Sequence, residues 1–325
     1  MISALVMGTF HSQAAALTWG PNGAGGSGSW DASTANWWDG VQNVPWSDGG
    51  AAIFAGTGGA VTVSSTNSVS VSSIVFDAPG YTLNGQNLQS GNTLGITANS
   101  DATIVGPLPY LTFMKDGMGT LSINQAASQT YGVSAGRLRV TTAIGGYAII
   151  QGGTLETAGN IGTLRVAGAG TLDIGGYAAA QLSLSGFSYL DDPSTKLTIR
   201  FGLGSTAQDS LSIDPFTVVP STGAYYFDFE NLGGLATGVS YTLISQGKMT
   251  PSSFHLSPEL VDQGWVATFS PVTQVFGQDP QGLKVTFAAI PEPSAGSLAL
   301  FGVVALAGVG FMKRRQQPKI AAGAA

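Results

Sequence analysis

The sequence contains no cysteine, only two histidines and few charged residues. Of its 325 residues, 9% are Asp, Glu, Lys or Arg, about a third of the usual share. Without cysteine, the chain cannot form disulfides, use a thiol nucleophile or bind a metal through thiolates. Stability must therefore come from backbone hydrogen bonds and packing. The 47 glycines favour tight turns or stacked backbones over helices.

Basic residues are scarce and unevenly distributed. The formal net charge is −6, and four of the twelve basic residues lie between Lys313 and Lys319. Residues 1–290 therefore hold 8 basic and 17 acidic groups. Nucleic-acid binding requires clustered Lys and Arg, so this balance argues against a nucleic-acid partner.

Candidate catalytic and metal-binding groups are few. His11 lies near the apolar N-terminal stretch, which leaves His255 for any Ser–His–Asp arrangement. Zinc needs three or four Cys, His or carboxylate ligands close together, and the sequence has no such cluster. We therefore expect a protein that is not an enzyme and that has no catalytic residues, metal or cofactor.

The C-terminal end combines three features in a fixed order. They are a proline–glutamate motif, an uncharged apolar run and a basic cluster: Pro291, Glu292, Pro293 and Ser294, then 295–312, then Lys313, Arg314 and Arg315. Eighteen residues in a helix span roughly 27 Å, enough to cross the hydrocarbon core of a bilayer. Basic residues mark the cytoplasmic side. We therefore predict one transmembrane helix over 295–312 and a cytoplasmic tail over 316–325.

This order resembles the PEP-CTERM sorting signal of bacterial envelope proteins, over residues 290–315. The resemblance implies recognition by an exosortase-type membrane sorting enzyme and cleavage near Pro291–Pro293. It also implies that the chain is anchored in the inner membrane before sorting and then reaches the cell surface or extracellular matrix. The tail after Arg315 is longer than is usual in that family.

The N-terminal end predicts export. An apolar run, Met1–Phe10, leads to Ala14-Ala15-Ala16, which is typical of a signal peptide and its cleavage site. We therefore expect a signal peptide over 1–16 and a mature chain that starts near Leu17. No Lys or Arg precedes Ala16, so we expect the natural start codon to lie upstream.

Residues 17–60 contain five of the six tryptophans. One interpretation is glycan binding, in which indole faces stack on sugar rings; the candidates are Trp30, Trp37, Trp38 and Trp46. The other is a cap that covers the open end of a β stack, where exposed strand edges would aggregate. We favour the cap.

A repeat runs through the middle of the chain. Short alternating strands of three to six residues, such as Val69–Val71 and Ile74–Phe76, are separated by Gly, Asn and Pro. A Gly-x-Leu pattern then recurs at spacings of 17, 17, 9 and 8, beginning at Gly119, Gly136, Gly153, Gly162 and Gly170. A period of about 17 residues predicts a stacked β-solenoid, in which each turn buries its inner face against its neighbours.

The segment Leu111–Ile123, continued by Ala135–Val140, resembles one unit of the autotransporter-associated β-strand repeat. That resemblance implies a right-handed parallel β-helix displayed outside the cell. Parallel β-helices also include polysaccharide lyases, which use carboxylate-bound calcium and a basic residue. The groups that such an enzyme could use are Asp191 and Asp192 with Lys196 and Arg200, and Asp209 with Asp214. Turn formation explains Asp191-Asp192-Pro193 more simply.

We therefore predict a mainly β protein: a right-handed parallel β-helix or solenoid body with a single C-terminal transmembrane helix. The predicted segments are a signal peptide (1–16), a Trp/Gly-rich cap (17–60), solenoid repeats (61–190), a C-terminal β region (191–289), the sorting signal (290–315) and a tail (316–325). The expected function is that of an exported structural or adhesin-like surface protein. The alternative is a β-helix protein that binds or degrades polysaccharide, with an extracellular polysaccharide as its partner.

Overall fold

A computed structural model describes residues 15–290, apart from 65–67, 86, 92, 107, 109–111, 125–129, 177, 190–194, 215–223, 249–253 and 273–280. The predicted signal sequence before residue 15, the sorting motif Pro291–Ser294, the basic cluster Lys313–Arg315 and the predicted helix over 295–312 lie outside these residues. Within the described part, no helix is long and apolar enough to cross a membrane.

The described residues form 27 strands, one short α-helix and one 3-10 helix at Pro21–Gly23. The first strands are β1 Ala16–Trp19, β2 Gly28–Trp30, β3 Trp37–Trp38, β4 Asn43–Val44, β5 Gly50–Phe54, β6 Ala60–Val63, β7 Val69–Phe76, β8 Tyr81–Asn84, β9 Leu88–Gln89, β10 Thr93–Ala98, β11 Ala102–Val105, β12 Thr112–Asp116 and β13 Thr120–Ile123. The rest are β14 Tyr131–Val133, β15 Arg137–Val140, β16 Ile144–Ile150, β17 Thr154–Thr157, β18 Gly159–Val166, β19 Ala169–Ile174, β20 Gln181–Tyr189, β21 Lys196–Gly204, β22 Ser210–Ile213, β23 Ala224–Gly233, β24 Ser240–Lys248, β25 Phe254–Leu256, α1 Pro258–Asp262, β26 Val266–Pro271 and β27 Gln281–Ala289.

The strands form two sheets, and strands that follow one another along the chain mostly alternate between them. Sheet I has 16 strands in the order β26-β27-β24-β22-β20-β18-β16-β14-β12-β10-β7-β5-β1-β3-β4, with β9 beside β7. Sheet II has 11 strands in the order β2-β6-β8-β11-β13-β15-β17-β19-β21-β23-β25. From β10 to β25 each strand lies in the opposite sheet from the one before it, and the neighbours within each sheet are parallel. This topology is consistent with a β-solenoid of two strands per turn.

The core lies between the two sheets and follows the predicted repeat. Leu121, Leu138, Leu155 and Leu172 pair in register on successive strands of sheet II, and all four are buried. The glycines at 17-residue spacing therefore occupy equivalent positions in successive turns. Gly162 belongs to β18 in sheet I, which explains why its Gly-x-Leu pattern falls halfway through the period.

One sequence-based strand boundary differs in the structure. Val69–Phe76 is one strand of eight residues, where the sequence indicated two short ones, because Ser72 and Ser73 stay extended instead of turning. The longer strands after Gln181 continue the two sheets: β20 and β22 extend sheet I, and β21 and β23 extend sheet II, all by parallel pairing.

The two ends of the stack are closed by antiparallel strands. At the N-terminal end β3 pairs with both β1 and β4. At the C-terminal end β27 lies between β24 and β26, antiparallel to each. A reversed strand stops the parallel ladder from being extended by another turn. Leu17, the predicted first residue of the mature chain, is buried in β1 and pairs with Ala52.

Candidate functional site

The sorting motif follows directly after the last strand. β27 ends at Ala289, which pairs with Val266 of β26. Ile290 is partly buried and packs against the core. The described body therefore continues to the residue before Pro291, so a cleavage near Pro291–Pro293 would release the folded body almost without a trailing segment.

The tryptophans of the N-terminal end form a packed aromatic cluster. The ring centroids lie 4.8 Å apart for Trp30–Trp37, 4.8 Å for Trp30–Trp46 and 4.6 Å for Trp37–Trp46. These three side chains and Trp19 are buried, whereas Trp38 is half-buried. Of the four tryptophans considered for glycan stacking, only Trp38 is not buried; the other three fill the interior of the end turn.

A column of polar residues runs along the outer face of sheet II. Its members occupy equivalent positions on eight consecutive strands, from β8 to β23: Thr82, Thr103, Ser122, Arg139, Glu156, Asp173, Arg200 and Asp228. Their neighbours in each strand point inward and are buried. We call this set the polar column. The chemistry of its first four positions differs from that of its last five, and Arg139 belongs to both parts.

The second half of the polar column is a network of ion pairs. Arg139 Nε donates to Glu156 Oε1 at 2.7 Å, and Arg137 Nη1 donates to Glu156 Oε2 at 2.7 Å and to Asp173 Oδ2 at 2.8 Å. Arg200 Nε donates to Asp228 Oδ2 at 2.7 Å. Glu156 and Asp173 are buried despite facing outward. The arginines therefore neutralise carboxylates that the surrounding chain has removed from water.

The first half of the polar column lines an open groove of about 330 Å³. It is lined by the hydroxyls of Thr82, Thr103 and Ser122 and by Arg139, together with Asp101 and Thr120. Asp101 Oδ1 accepts a hydrogen bond from the backbone N–H of Thr120 at 2.7 Å, which fixes this carboxylate. Successive strands are about 4.8 Å apart, so the groove offers polar groups at the spacing of the turns.

Two ionisable groups are buried away from the groove. Lys115 Nζ donates to the carbonyl oxygens of Gly117 at 2.5 Å and Ala135 at 2.8 Å; burial lowers its pKa to about 8, against the opposing effect of Asp116 and Asp101. Asp209 accepts from the backbone N–H groups of Gly202 and Ala180 at 2.5 and 2.7 Å. Burial nevertheless raises the pKa of Asp209 to about 6.

Among the groups considered for lyase chemistry, Arg200 and Asp209 are each bound by other partners. Asp191 and Asp192 lie outside the described residues. Arg200 is bound to Asp228, and Asp209 is bound to backbone amides. His255 is exposed, with its ring 6.0 Å from that of Tyr226. Among the described residues no group of three or more His, Asp and Glu is arranged to hold a metal ion.

Sequence reasoning missed the polar column. Arg139, Glu156 and Asp173 follow one another at intervals of 17 residues, the same period as the glycines. This spacing would have revealed their alignment if charges had been searched with the period of the repeat. Thr82, Thr103 and Ser122 are separated by other intervals, because the loops of those turns differ in length.

Comparison with known proteins first identifies the C-terminal segment. Residues 289–315 match the family described as the PEP-CTERM protein-sorting motif. The chain carries a PEP-CTERM sorting motif. This motif implies processing by an exosortase-type enzyme.

The body of this PEP-CTERM protein is similar to an autotransporter. It is 31% identical, in an alignment 236 residues long that covers 63% of the chain, to a Brucella suis biovar 1 (strain 1330) protein named adhesin BmaC autotransporter. The chain spans about 7% of that relative's length. No solved structure matches. The motif and the relative together support an exported surface protein with autotransporter-like repeats.

Proposed function

We propose that the mature protein is a structural or adhesive component of the cell surface or extracellular matrix, displayed after an exosortase-type enzyme has cleaved near Pro291–Pro293. The sorting motif attached directly to the end of β27 carries this proposal. A rigid stack of parallel strands suits display, because each turn is held by its neighbours over the whole length. The named relative is an adhesin, which supports the same class of role. We propose no catalytic step.

The processing step can be tested by cell fractionation and intact-mass measurement, with and without the exosortase-type enzyme. We expect a membrane-bound chain with its C-terminal segment when the enzyme is absent. With the enzyme, we expect a surface or matrix product that starts near Leu17 and ends near Glu292. Glu292→Ala should keep the longer form, whereas the matched change Glu259→Ala, in α1 of the body, should be processed normally. A full-length chain found only in membranes, whether or not the enzyme is present, would refute the proposal.

The adhesive role needs a separate measurement. Cells that lack the protein should attach less to surfaces or to matrix than cells that express it, and the processed form should restore attachment. If attachment is unchanged, the adhesive part of the proposal fails while the sorting part stands.

A further inference from the structure

We propose that the groove on sheet II binds an acidic polysaccharide, with a sugar carboxylate on Arg139 and neighbouring sugar hydroxyls on Thr82, Thr103 and Ser122. This inference rests on the proposed function, because display outside the cell is what gives the groove access to such polymers. It is carried by the shape of the groove, by its hydroxyls and by the geometry of Arg139.

The shape suits an extended polymer. The groove crosses four consecutive strands of sheet II, β8, β11, β13 and β15, and therefore extends for roughly 14 Å along the stack at about 4.8 Å per strand. The polar column is in register across these four strands, so its side chains follow one line along the groove. A linear chain lying along the stack would meet one side chain of the column on each turn.

The hydroxyls are free to bind a ligand. Within the described part of the chain, those of Thr82, Thr103 and Ser122 have no hydrogen-bond partner, and each side chain is half-buried. A hydroxyl both donates and accepts, so three of them match the hydroxyls of a sugar chain without requiring one orientation. Strand pairing fixes their positions before any ligand arrives, which reduces the entropy lost on binding.

Arg139 supplies the charged end of the groove. Its Nε is held by Glu156 Oε1 at 2.7 Å, and its side chain remains 40% exposed. Among the described residues, Glu156 is the hydrogen-bonding partner of Arg139, and the bond is made through Nε. The two terminal nitrogens of the guanidinium group are therefore open to the groove. A planar guanidinium held in this way presents two parallel donors, the arrangement that a carboxylate accepts.

The surrounding charge favours sparse carboxylates over a dense polyanion. The groove is lined by one arginine and by the carboxylate of Asp101. The whole chain carries a net charge of −6. Nucleic acids and polyphosphates place their charges close together, so a protein that binds them requires clustered Lys and Arg side chains. A polysaccharide that has a carboxylate on some units and hydroxyls on all of them fits this balance better.

The test uses the full chain and hyaluronan oligosaccharides, which carry a carboxylate on every second sugar, as the acidic probe, with dextran oligosaccharides as the neutral one, in titration calorimetry. We expect hyaluronan to bind at least about tenfold more tightly than dextran, the order of a charge-assisted bidentate contact. Arg139→Gln should weaken hyaluronan binding by about tenfold. The charge-matched control Arg165→Gln changes an exposed arginine of β18 in sheet I and should leave binding within about twofold.

A second pair of variants tests the hydroxyls independently of charge. A triple variant combines Thr82→Val, Thr103→Val and Ser122→Ala. It should weaken binding by about tenfold, the order expected for losing several neutral hydrogen bonds. The matched control is Thr154→Val with Thr171→Val and Thr198→Val. These three threonines are also in register on sheet II but lie outside the groove, and their removal should leave binding within about twofold.

The proposal is overturned if the wild-type chain binds hyaluronan no better than dextran, or if each variant and its control weaken binding equally. Circular dichroism should show the same β signal in all variants. If the triple groove variant does not fold, the comparison of Arg139→Gln with Arg165→Gln still decides whether the groove binds the acidic oligosaccharide. Intact-mass measurement of C-terminal processing in the same variants separates failure of this site from failure of the proposed sorting.

Discussion

At the scale of single residues, the ion pairs on sheet II link one turn of the described chain to the next. Arg137 bridges Glu156 and Asp173, which belong to the next two strands of sheet II. Removing one partner of a buried ion pair leaves an uncompensated charge, so the network favours one register of the strands over others. Asp209 acts differently, since its carboxylate is bound by backbone amides and has no basic partner among the described side chains.

Asp209 should make stability depend on pH. Because its folded pKa of about 6 lies above the ordinary value of 3.8, the folded chain keeps this proton longer than the unfolded chain. The linked stabilisation is complete below pH 3.8 and is lost as the pH rises through 6, a difference of at most about 3 kcal/mol. Asp209→Asn cannot ionise. The free energy of unfolding of wild type minus that of Asp209→Asn, from urea titrations, should therefore fall between pH 3.5 and 7.

The control for this measurement is Asp262→Asn, at an exposed position in α1. We expect it to retain the pH dependence of the wild type. A constant difference between wild type and Asp209→Asn across the same pH range would contradict the assignment of this dependence to Asp209.

At the scale of the element, the turns are set by glycines that stack on one another. Gly136 and Gly153 have φ of +60° and +64°, and a Cβ on Gly153 would lie 2.5 Å from the carbonyl oxygen of Gly136. Non-glycine residues rarely adopt this backbone conformation, and the neighbouring turn leaves no room for a side chain. At these two turns the backbone path therefore depends on glycine.

Gly153→Ala should lower the free energy of unfolding by at least about 2 kcal/mol, because it combines a left-handed backbone with a clash against backbone atoms. Gly95→Ala is the matched control. Gly95 lies in β10, and nothing is within 4 Å of the position its Cβ would take. We expect this change to stay within about 0.5 kcal/mol. Equal urea midpoints for the two variants would show that the stacked turns tolerate a side chain.

The sequence predicted the elements better than it predicted the site. The inward leucines Leu121, Leu138, Leu155 and Leu172 could be identified because burial requires apolar residues at a constant interval. The polar column could not be identified as readily, since an outward position accepts many residue types and the loops between Thr82, Thr103 and Ser122 vary in length. The roles of the tryptophans also depended on tertiary packing: the same residues suit a sugar platform or a packed end.

At the scale of the whole molecule, the protein is a stack whose two ends differ from its middle. Buried aromatic rings fill the first turn, and the antiparallel pairs β24–β27 and β26–β27 close the last. Between them each turn contacts chiefly the turns before and after it. In such a repeat protein, stability is approximately the sum of the turns and of their interfaces, so the number of turns can change without loss of the fold.

Deletion of 154–170 should therefore leave a folded protein. It removes 17 residues, which comprise β17, β18 and the first two residues of β19 with the intervening turns, and joins Gly153 to Thr171, which occupies the position equivalent to Thr154. Asp173 would then follow Arg139 in the polar column, so a carboxylate again faces an arginine. We expect a cooperative thermal transition, a retained β signal in circular dichroism and unchanged hyaluronan binding, since the groove ends at β15.

Deletion of only 154–162 is the decisive control. It removes nine residues, about half a turn, so that the remaining part of β18 would enter sheet II in place of β17. Every later strand would then have to change sheets or leave a loop unclosed, and inward leucines would be moved out of register. We expect this variant to aggregate or unfold. If both deletions behave alike, the 17-residue turn is not the unit in which this molecule is built.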